Sequence, residues 1–534
     1  MMNVFSIVIL SLCGIYMILN FRHDIHMLQQ NSYRPERYWR WLRGGDISSV
    51  WRMVDVAMIF LLFASNLLPF QLASLLIAIV CVTKGFLILT KKFKKPLVFT
   101  KRVWRIYTLT ALLAIGAVVP VAVCTAGKTY GYGYHGFQIA LFVILGICVL
   151  SWVVVCIALF LLMPVERSIN SKYKKEAVSI LRSNPDLKVI GITGSYGKTS
   201  TKHYLHRILS EQFETLMTPG SYNTPMGVIR TVREMMKPYT EVFICEMGAK
   251  QKGDIKEICD MVNPRMGIIT AVGPMHLETF KTIENVQATK FELADAITSD
   301  GFVVINNDFE YCANRKVNNT SCIRYASSNP DGADFFASDI RYDADGTSFT
   351  IVGPEGNKME YRTQLVGECN VSNLLAAIIV ALKLGVPEDK IRYAVSRIAQ
   401  VEHRLSIKRT PGGITIIDDA FNSNPSGAKM AVDVLSQFKE GKRIIVTPGM
   451  IELGERQFDL NKALGTYIGG NVDVAVIVGE YNREALLAGL EETSLPKDRI
   501  YIVDSFGEAQ EKLTTLLHQG DTVLYENDLP DSFR

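Results

Sequence analysis

The sequence predicts an α-helical membrane region followed by an α/β body of two domains. Three observations predict it. Apolar runs crowd before residue 165, strand and helix patterns alternate after Glu166, and a phosphate-type loop joins a strand to a helix. The 534 residues leave room for three or four domains at roughly 100–200 residues each. With 48% hydrophobic and 21% charged residues the chain is not disordered. A net charge of +4 is too mild for the concentrated basic face of a nucleic-acid binder, so no nucleic-acid partner is expected. The ten cysteines include no CxxC pair, which removes support for a zinc ribbon or a thioredoxin-type site. Cys13, Cys81, Cys124, Cys148 and Cys156 lie inside apolar runs, where packing is the expected role.

The membrane region, residues 1–165, holds apolar runs at 3–20, 53–69, 71–89, 106–124 and 137–163. A bilayer core of about 30 Å needs about 20 mostly apolar helical residues, so five spans are expected. The second and third form a tight hairpin at Pro69. Pro120 is tolerable inside a membrane helix. The first run lacks a basic leader and a small-residue cleavage site, which argues against a signal peptide. Basic loops set the orientation. Arg22, Arg34, Arg37, Arg40, Arg43 and Arg52 follow the first run. Lys91, Lys92, Lys94, Lys95, Lys101, Arg102 and Arg105 follow the third, whereas 125–136 holds only Lys128. The expected topology has the N-terminus outside and everything after Met163 in the cytoplasm, with the lipid bilayer as a partner. Lys84 is expected to snorkel to the interface.

The first α/β domain is expected over 166–400. Lys188–Thr193, Glu241–Met247, Met266–Val272 and Gly301–Asn306 read as strands, with amphipathic helices at Thr199–Phe213 and Asp254–Val262. That alternation predicts a mostly parallel sheet covered on both faces. Residues 308–364 read as a small antiparallel insert, and Asn370–Leu384 as a closing helix. A second α/β domain is expected over 401–534, with strands at Thr415–Asp418, Arg443–Thr447, Asp473–Val478 and Ile500–Val503.

The most informative segment is GITGSYGKTST, Gly191–Thr201. After a strand and before a helix, the backbone N–H groups of such a loop and the helix N-terminus can cradle phosphate. Gly194, Ser195, Tyr196, Gly197, Lys198, Thr199 and Ser200 are therefore candidate nucleotide-binding residues. Lys198 would reach the terminal phosphates and the Thr199 hydroxyl would ligate Mg²⁺. The longer Walker pattern fails because Ile192 stands at its first glycine, leaving GxxGKT.

GITGSYGKTST resembles the nucleotide loop of the Mur ligases, ATP-dependent acid–amino-acid ligases of peptidoglycan precursor synthesis. The resemblance continues through SYNTPMGV (221–228), ICEMGAKQKGDI (244–255), GPMHLETF (273–280), ATKFEL (288–293), GECNVSNLLAA (367–377), EHRL (402–405), DDAFNSNPSG (418–427) and TPGMIELG (447–454). The EMGA, HLE and DDxxNxNP segments are most similar to the D-alanyl-D-alanine-adding branch. The resemblance implies a central ATP-binding domain and a Rossmann-like C-terminal domain. It also implies an amide-forming ligase that works through an acyl phosphate, with ATP and Mg²⁺ as cofactors and an amino acid or dipeptide as the amine. By the same resemblance Thr199 and Glu246 hold one Mg²⁺, His276 holds a second, and Asn223 lines the γ-phosphate side. Lys290 occupies the position of a lysine that becomes a metal-ligating carbamate. Lys198, His276 and Lys290 are thus the candidate catalytic residues.

Arg404, Asp419, Asn422 and Asn370 fall on the nucleotide side of the family's motifs. Ala420 and Phe421 replace the usual Ser-Tyr, and Cys369 replaces a histidine. For Glu246 a structural ion pair, for His276 an ordinary loop histidine, and for Lys290 a solvated helix lysine are the plain alternatives. The family's soluble substrate-binding domain is replaced by the membrane region, so the acid is either lipid-linked or an envelope precursor recognised differently. A poly-γ-glutamate-type ligase and a non-catalytic ATP-binding scaffold remain as other readings.

Overall fold

A computed structural model describes residues 4–31, 33–46, 49–63, 69–91, 93, 95–125, 136–343, 346–421 and 423–529. The chain divides into two compact units, one up to residue 170 and one from residue 171.

The first unit is helical: α1 (Val4–Gln30), α2 (Pro35–Trp41), α3 (Val50–Phe63), α4 (Phe70–Thr90), α5 (Lys101–Thr125), α6 (Gly136–Val149) and the residues up to 170 of α7 (Ser151–Arg182). α1 packs against α4, α5 and α6. Among the described residues, Val4–Gln30, Gln71–Thr90, Lys101–Thr125 and Ser151–Arg182 are long and apolar enough to cross a membrane. The structure differs from expectation in the fifth run. Among the described residues the second run gives the 14 residues of α3, which at 1.5 Å per residue extend about 21 Å. Residues 64–68 lie outside the described set.

The fifth run is interrupted at Leu150. Asn20 Nδ2 donates to the Cys148 carbonyl at 3.0 Å, drawing that acceptor out of the helical ladder. Leu150 N–H still donates to Gly146 at 3.0 Å and Val154 N–H to Leu150 at 3.3 Å, so the helix carries through the irregularity.

Lys84 does not snorkel. It is 5% exposed, and its ammonium donates to Asp55 at 2.6 Å and to the Trp51 carbonyl at 2.7 Å. It also lies 4.4 Å from the Trp51 ring centre. Tyr16 donates to the same Asp55 oxygen at 2.8 Å. A second buried pair joins Arg52 to Asp24 at 2.5 Å, with Tyr38 and Ser151 hydroxyls on the same carboxylate. The acceptors inside the bundle hold the ammonium, because a buried charge needs a partner.

In the second unit the strands are β1 (Lys188–Thr193), β2 (Thr215–Met217), β3 (Val242–Glu246), β4 (Met266–Ile269), β5 (Phe302–Asn306), β6 (Ser321–Ala326), β7 (Phe335–Asp343), β8 (Gly346–Val352) and β9 (Lys358–Thr363). They form one nine-stranded sheet in the order β2-β3-β1-β4-β5-β6-β7-β8-β9. β2 through β6 and the start of β7 pair in parallel, whereas β7, β8 and β9 are antiparallel. The expected antiparallel insert is therefore β7 to β9, which extend the main sheet at one edge. β1, β3 and β4 are nearly or fully buried, which is why they read as unbroken apolar runs.

A second, six-stranded sheet comprises β10 (Ser406–Arg409), β11 (Thr415–Asp419), β12 (Arg443–Thr447), β13 (Val474–Val478), β14 (Ile500–Val503) and β15 (Thr522–Glu526), in the order β10-β11-β15-β12-β13-β14. Only the β10–β11 pair is antiparallel.

Lys84→Ala should destabilise the helical unit more than the double change Lys84→Met with Asp55→Leu. Breaking a buried ion pair strands the remaining charge at a cost of about 3–5 kcal/mol, whereas replacing both partners is often neutral. Thermal unfolding of the purified chain in detergent measures the order. Equal stability of the two variants would mean that the pair is solvated.

Candidate functional site

β1 lies between β3 and β4, where the strand order reverses, and all three run parallel. Their carboxyl ends thus meet along one edge, the place where open α/β sheets bind ligands. The 194–197 loop leaves β1 there and enters the helix Lys198–Leu209. Two glycines allow the turn. At Gly194 a Cβ would stand 2.1 Å from the Thr270 hydroxyl; at Gly197, with φ of 76°, it would stand 2.3 Å from Asn373 Oδ1. Ser195 pins the loop, its N–H donating to Ala271 at 2.8 Å and its hydroxyl bonded to Gly273 at 3.1 Å. The Tyr196 hydroxyl reaches the Pro274 carbonyl at 3.3 Å. Ser200 is buried one residue further along the helix.

Lys198 Nζ donates to the Gly194 carbonyl at 2.6 Å. Burial pushes its ammonium down to about 8, against the pull of Glu246. Glu246 ends β3 with 1% exposure. One of its oxygens accepts from Asn223 Nδ2 at 3.0 Å and lies 3.3 Å from the Thr199 hydroxyl. The other accepts from Lys202 at 3.1 Å. Burial alone would raise this carboxyl; the ammonium groups of Lys202 and Lys198 outweigh it and hold the group below its usual range. Thr199, Asn223 and Glu246 are therefore brought together at the loop.

His276 lies past β4 in left-handed backbone, φ 53°. Its Nδ1 hydrogen-bonds Glu452, which the second sheet's domain supplies. Burial pushes the imidazole below its ordinary value despite that carboxylate. Lys290, on the helix Ile283–Ala296, is 3% exposed and makes no hydrogen bond or ion pair among the described residues. Burial first, and then the charge of Lys198, drive its ammonium well below the ordinary lysine range. It is not the solvated helix lysine that its sequence position also allowed.

The Asn370 carbonyl accepts from Tyr204 at 2.7 Å and its amide donates to Val366 at 2.8 Å. Arg404 stacks its guanidinium 4.2 Å from the Phe421 ring centre and senses the charges of Asp419 and Glu246. Asp419 accepts from Leu405 N–H at 3.1 Å, and burial raises its carboxyl to about 6. Asn422 lies outside the described residues.

Sequence reasoning missed Lys202, Asn373 and Glu452. Lys202 stands four residues after Lys198, so both share one helix face; a charge on the buried face was the available signal. Asn373 accepts from Thr201 at 3.1 Å. Glu452 sits inside the quoted TPGMIELG motif without an assigned role.

Among the described residues no three His, Cys, Asp or Glu side chains form a metal cluster. Thr199 and Glu246 are instead a pair of hard oxygen donors beside a phosphate-type loop. That fits Mg²⁺, which keeps several waters and is shared with substrate phosphates.

Residues 192–381 match the Mur ligase middle domain, and 403–525 match the Mur ligase glutamate ligase domain. The chain is 28% identical over 341 residues to the UDP-N-acetylmuramoyl-tripeptide–D-alanyl-D-alanine ligase of Bacillus subtilis, covering 64% of this chain and 72% of that protein. It is 27% identical to the same ligase of Haemophilus influenzae, covering 62% and 71%. Among solved structures it resembles MurF from Acinetobacter baumannii, with a TM-score of 0.61, 26% identity and coverage of 68% and 77%. The fold is also that of a MurF ligase from Thermotoga maritima in complex with ADP, with a TM-score of 0.60, 24% identity and coverage of 67% and 80%.

Phosphate favours the charged form of Lys198. Because that ammonium titrates near 8, rather than near the ordinary lysine value of about 10.4, ATP affinity should fall as pH rises above 8. The limit is about tenfold per pH unit for a single linked proton. Calorimetric titration checks the slope, which should vanish from the weak binding left in Lys198→Met. A flat wild-type profile up to pH 10 would separate Lys198 from the phosphates.

Proposed function

The chain belongs to the Mur ligase family of ATP- and Mg²⁺-dependent, ADP-forming ligases, and from that premise we propose that it is a membrane-anchored ligase joining a cell-envelope precursor carboxylate to an amine through an acyl phosphate. The observation that carries this reading is the convergence of Lys198, Thr199, Asn223 and Glu246 at the carboxyl edge of β1 and β3.

A carboxylate cannot acylate an amine directly, because its leaving group would be oxide. Transfer of the γ-phosphoryl group to a carboxylate oxygen gives an acyl phosphate and ADP. The amine nitrogen then attacks the carbonyl carbon, the C–O bond to phosphate breaks, and the amine proton passes to solvent or base. Such transfer is chiefly positioning and charge neutralisation. The 194–200 backbone would cradle the phosphates, Lys198 would balance their charge, and Asn223 would sit on the γ side. Thr199 and Glu246 would hold Mg²⁺, which when bound neutralises phosphate oxygens, and His276 would serve a second ion. Arg404 and Asp419 would face the nucleotide from the C-terminal domain. The relatives named above add D-alanyl-D-alanine to a UDP-linked tripeptide; for this chain an amino acid or dipeptide amine is proposed.

Lys290 would act as its carbamate. The ε-amine attacks the carbon of CO₂ and loses a proton, turning a buried cation into an oxygen ligand. A buried amine with no ion-pair partner is suited to that reaction, because only the neutral amine is nucleophilic.

Four helices of spanning length support the anchoring. So does the placement of all five tryptophans at 39, 41, 51, 104 and 152, since tryptophan favours membrane interfaces. The ligase domains would then lie on the cytoplasmic side, with the basic loops and ATP.

The purified full chain should release ADP only when both a carboxylate substrate and an amine are present. UDP-linked and lipid-linked muramoyl tripeptide, each with D-alanyl-D-alanine, are the first pairs to compare. Lys290→Ala should lose activity that short carboxylates partly restore, and bicarbonate depletion should slow the native chain. ADP release indifferent to acid and amine would contradict the ligase reading, and full activity of Lys290→Ala would remove the carbamate.

A further inference from the structure

His276 and Glu452 belong to different sheets' domains, and each is a non-glycine residue with left-handed backbone, φ 53° and 63°. Such backbone persists where surrounding contacts over-determine it, and it clusters at functional sites. Here the two residues hold one another. His276 Nδ1 hydrogen-bonds a carboxylate oxygen of Glu452. The Glu278 N–H donates to the Glu452 carbonyl at 3.4 Å, and Lys250 Nζ stands 3.5 Å from the other carboxylate oxygen. Gly454 completes the contact: a Cβ there would lie 3.3 Å from the Glu278 nitrogen.

A carboxylate can only accept, so the hydrogen of this bond sits on His276 Nδ1. Nε2, which makes no hydrogen bond among the described residues, is then the ring atom left to bind a ligand. Metal-binding histidines ordinarily have their second nitrogen held by a carboxylate in this way. The unusual feature is that the carboxylate comes from the other domain.

We propose that Glu452 is a positioning residue for the metal site: it fixes the ring and tautomer of His276 across the domain boundary, so that the site is complete only when the two domains are closed. The proposal rests on the reading of His276 as a metal ligand. It couples nucleotide–metal binding to closure, because an open arrangement would leave the imidazole free to turn and both strained residues without their mutual support.

The test uses the full-length chain in detergent with Mn²⁺ as a spin probe and ADP, so that no turnover is needed. Glu452→Ala should weaken Mn²⁺ binding on the order of 10–100-fold, the usual effect of removing such a carboxylate. It should also speed amide hydrogen exchange at 276–280, while ADP binding without metal stays unchanged. Glu452→Gln, whose amide oxygen still accepts from Nδ1, should retain most of the Mn²⁺ affinity. In a double-mutant cycle the losses from Glu452→Ala and His276→Ala should be strongly non-additive. Wild-type Mn²⁺ affinity in Glu452→Ala, additive losses, or equal losses in the Gln and Ala variants would overturn the proposal. A wild-type chain that shows this coupling yet forms no amide would overturn the ligase reading alone.

Discussion

The Glu246 carboxylate sets the geometry of the catalytic unit. It ends a fully buried strand, and an unpaired charge there would be costly enough to neutralise or to unfold the edge. The chain surrounds it with the ammonium of Lys202, the amide of Asn223 and the hydroxyl of Thr199. Each of these comes from a segment that must be placed for the proposed phosphate site. Thr199 and Lys202 fix the helix that follows the loop, and Asn223 fixes the segment before the helix Pro225–Met235. Lys202 also donates to the Gly220 carbonyl, tying that segment to the same carboxylate. A negative charge held in the interior thus preorganises the surface proposed to receive more negative charge.

The helical unit solves a similar problem by the same means. Asp24 with Arg52, and Asp55 with Lys84, are buried as pairs contributed by α1, α3 and α4. Asn20 and Ser151 extend that polar interior to the irregularity at Leu150. A hydropathy profile registers each charge as an isolated defect in an apolar run. The structure shows pairs, and pairing lets the charges stay inside instead of stretching to an interface.

How much of this was legible in sequence depended on the range of the cause. β1 and β12 were read to the residue, because interior parallel strands declare themselves as short apolar runs between turns, and the edge strand β14 was read from its apolar Ile-Tyr-Ile-Val run. β15, the central partner of β11 and β12, was missed: its five residues end in Tyr-Glu and lie between polar stretches near the chain end. Residues 308–364 were read as an antiparallel insert from the alternating stretch that forms β7 and β8, but local alternation does not say which sheet a strand joins. The loop residues Gly194–Thr199 were visible because their chemistry is local. Lys202 was not, since a lysine on an amphipathic helix ordinarily faces water. Glu452 could not be paired with His276, which is 176 positions away. Lys290 was found through resemblance, but only the structure shows that it is buried, with no hydrogen-bond or ion-pair partner among the described residues.

The central claim is that Glu246 serves bound nucleotide through a metal, beyond any service to the fold. Calorimetric titration of ADP with and without Mg²⁺, in the wild-type chain and in Glu246→Gln, tests it most directly. Gln keeps the shape and a hydrogen-bond acceptor while removing the charge. The account predicts that Mg²⁺ tightens ADP binding to the wild type and has little effect on a folded Glu246→Gln chain. Equal Mg²⁺ enhancement in both would contradict it and leave Glu246 as a structural ion-pair partner of Lys202.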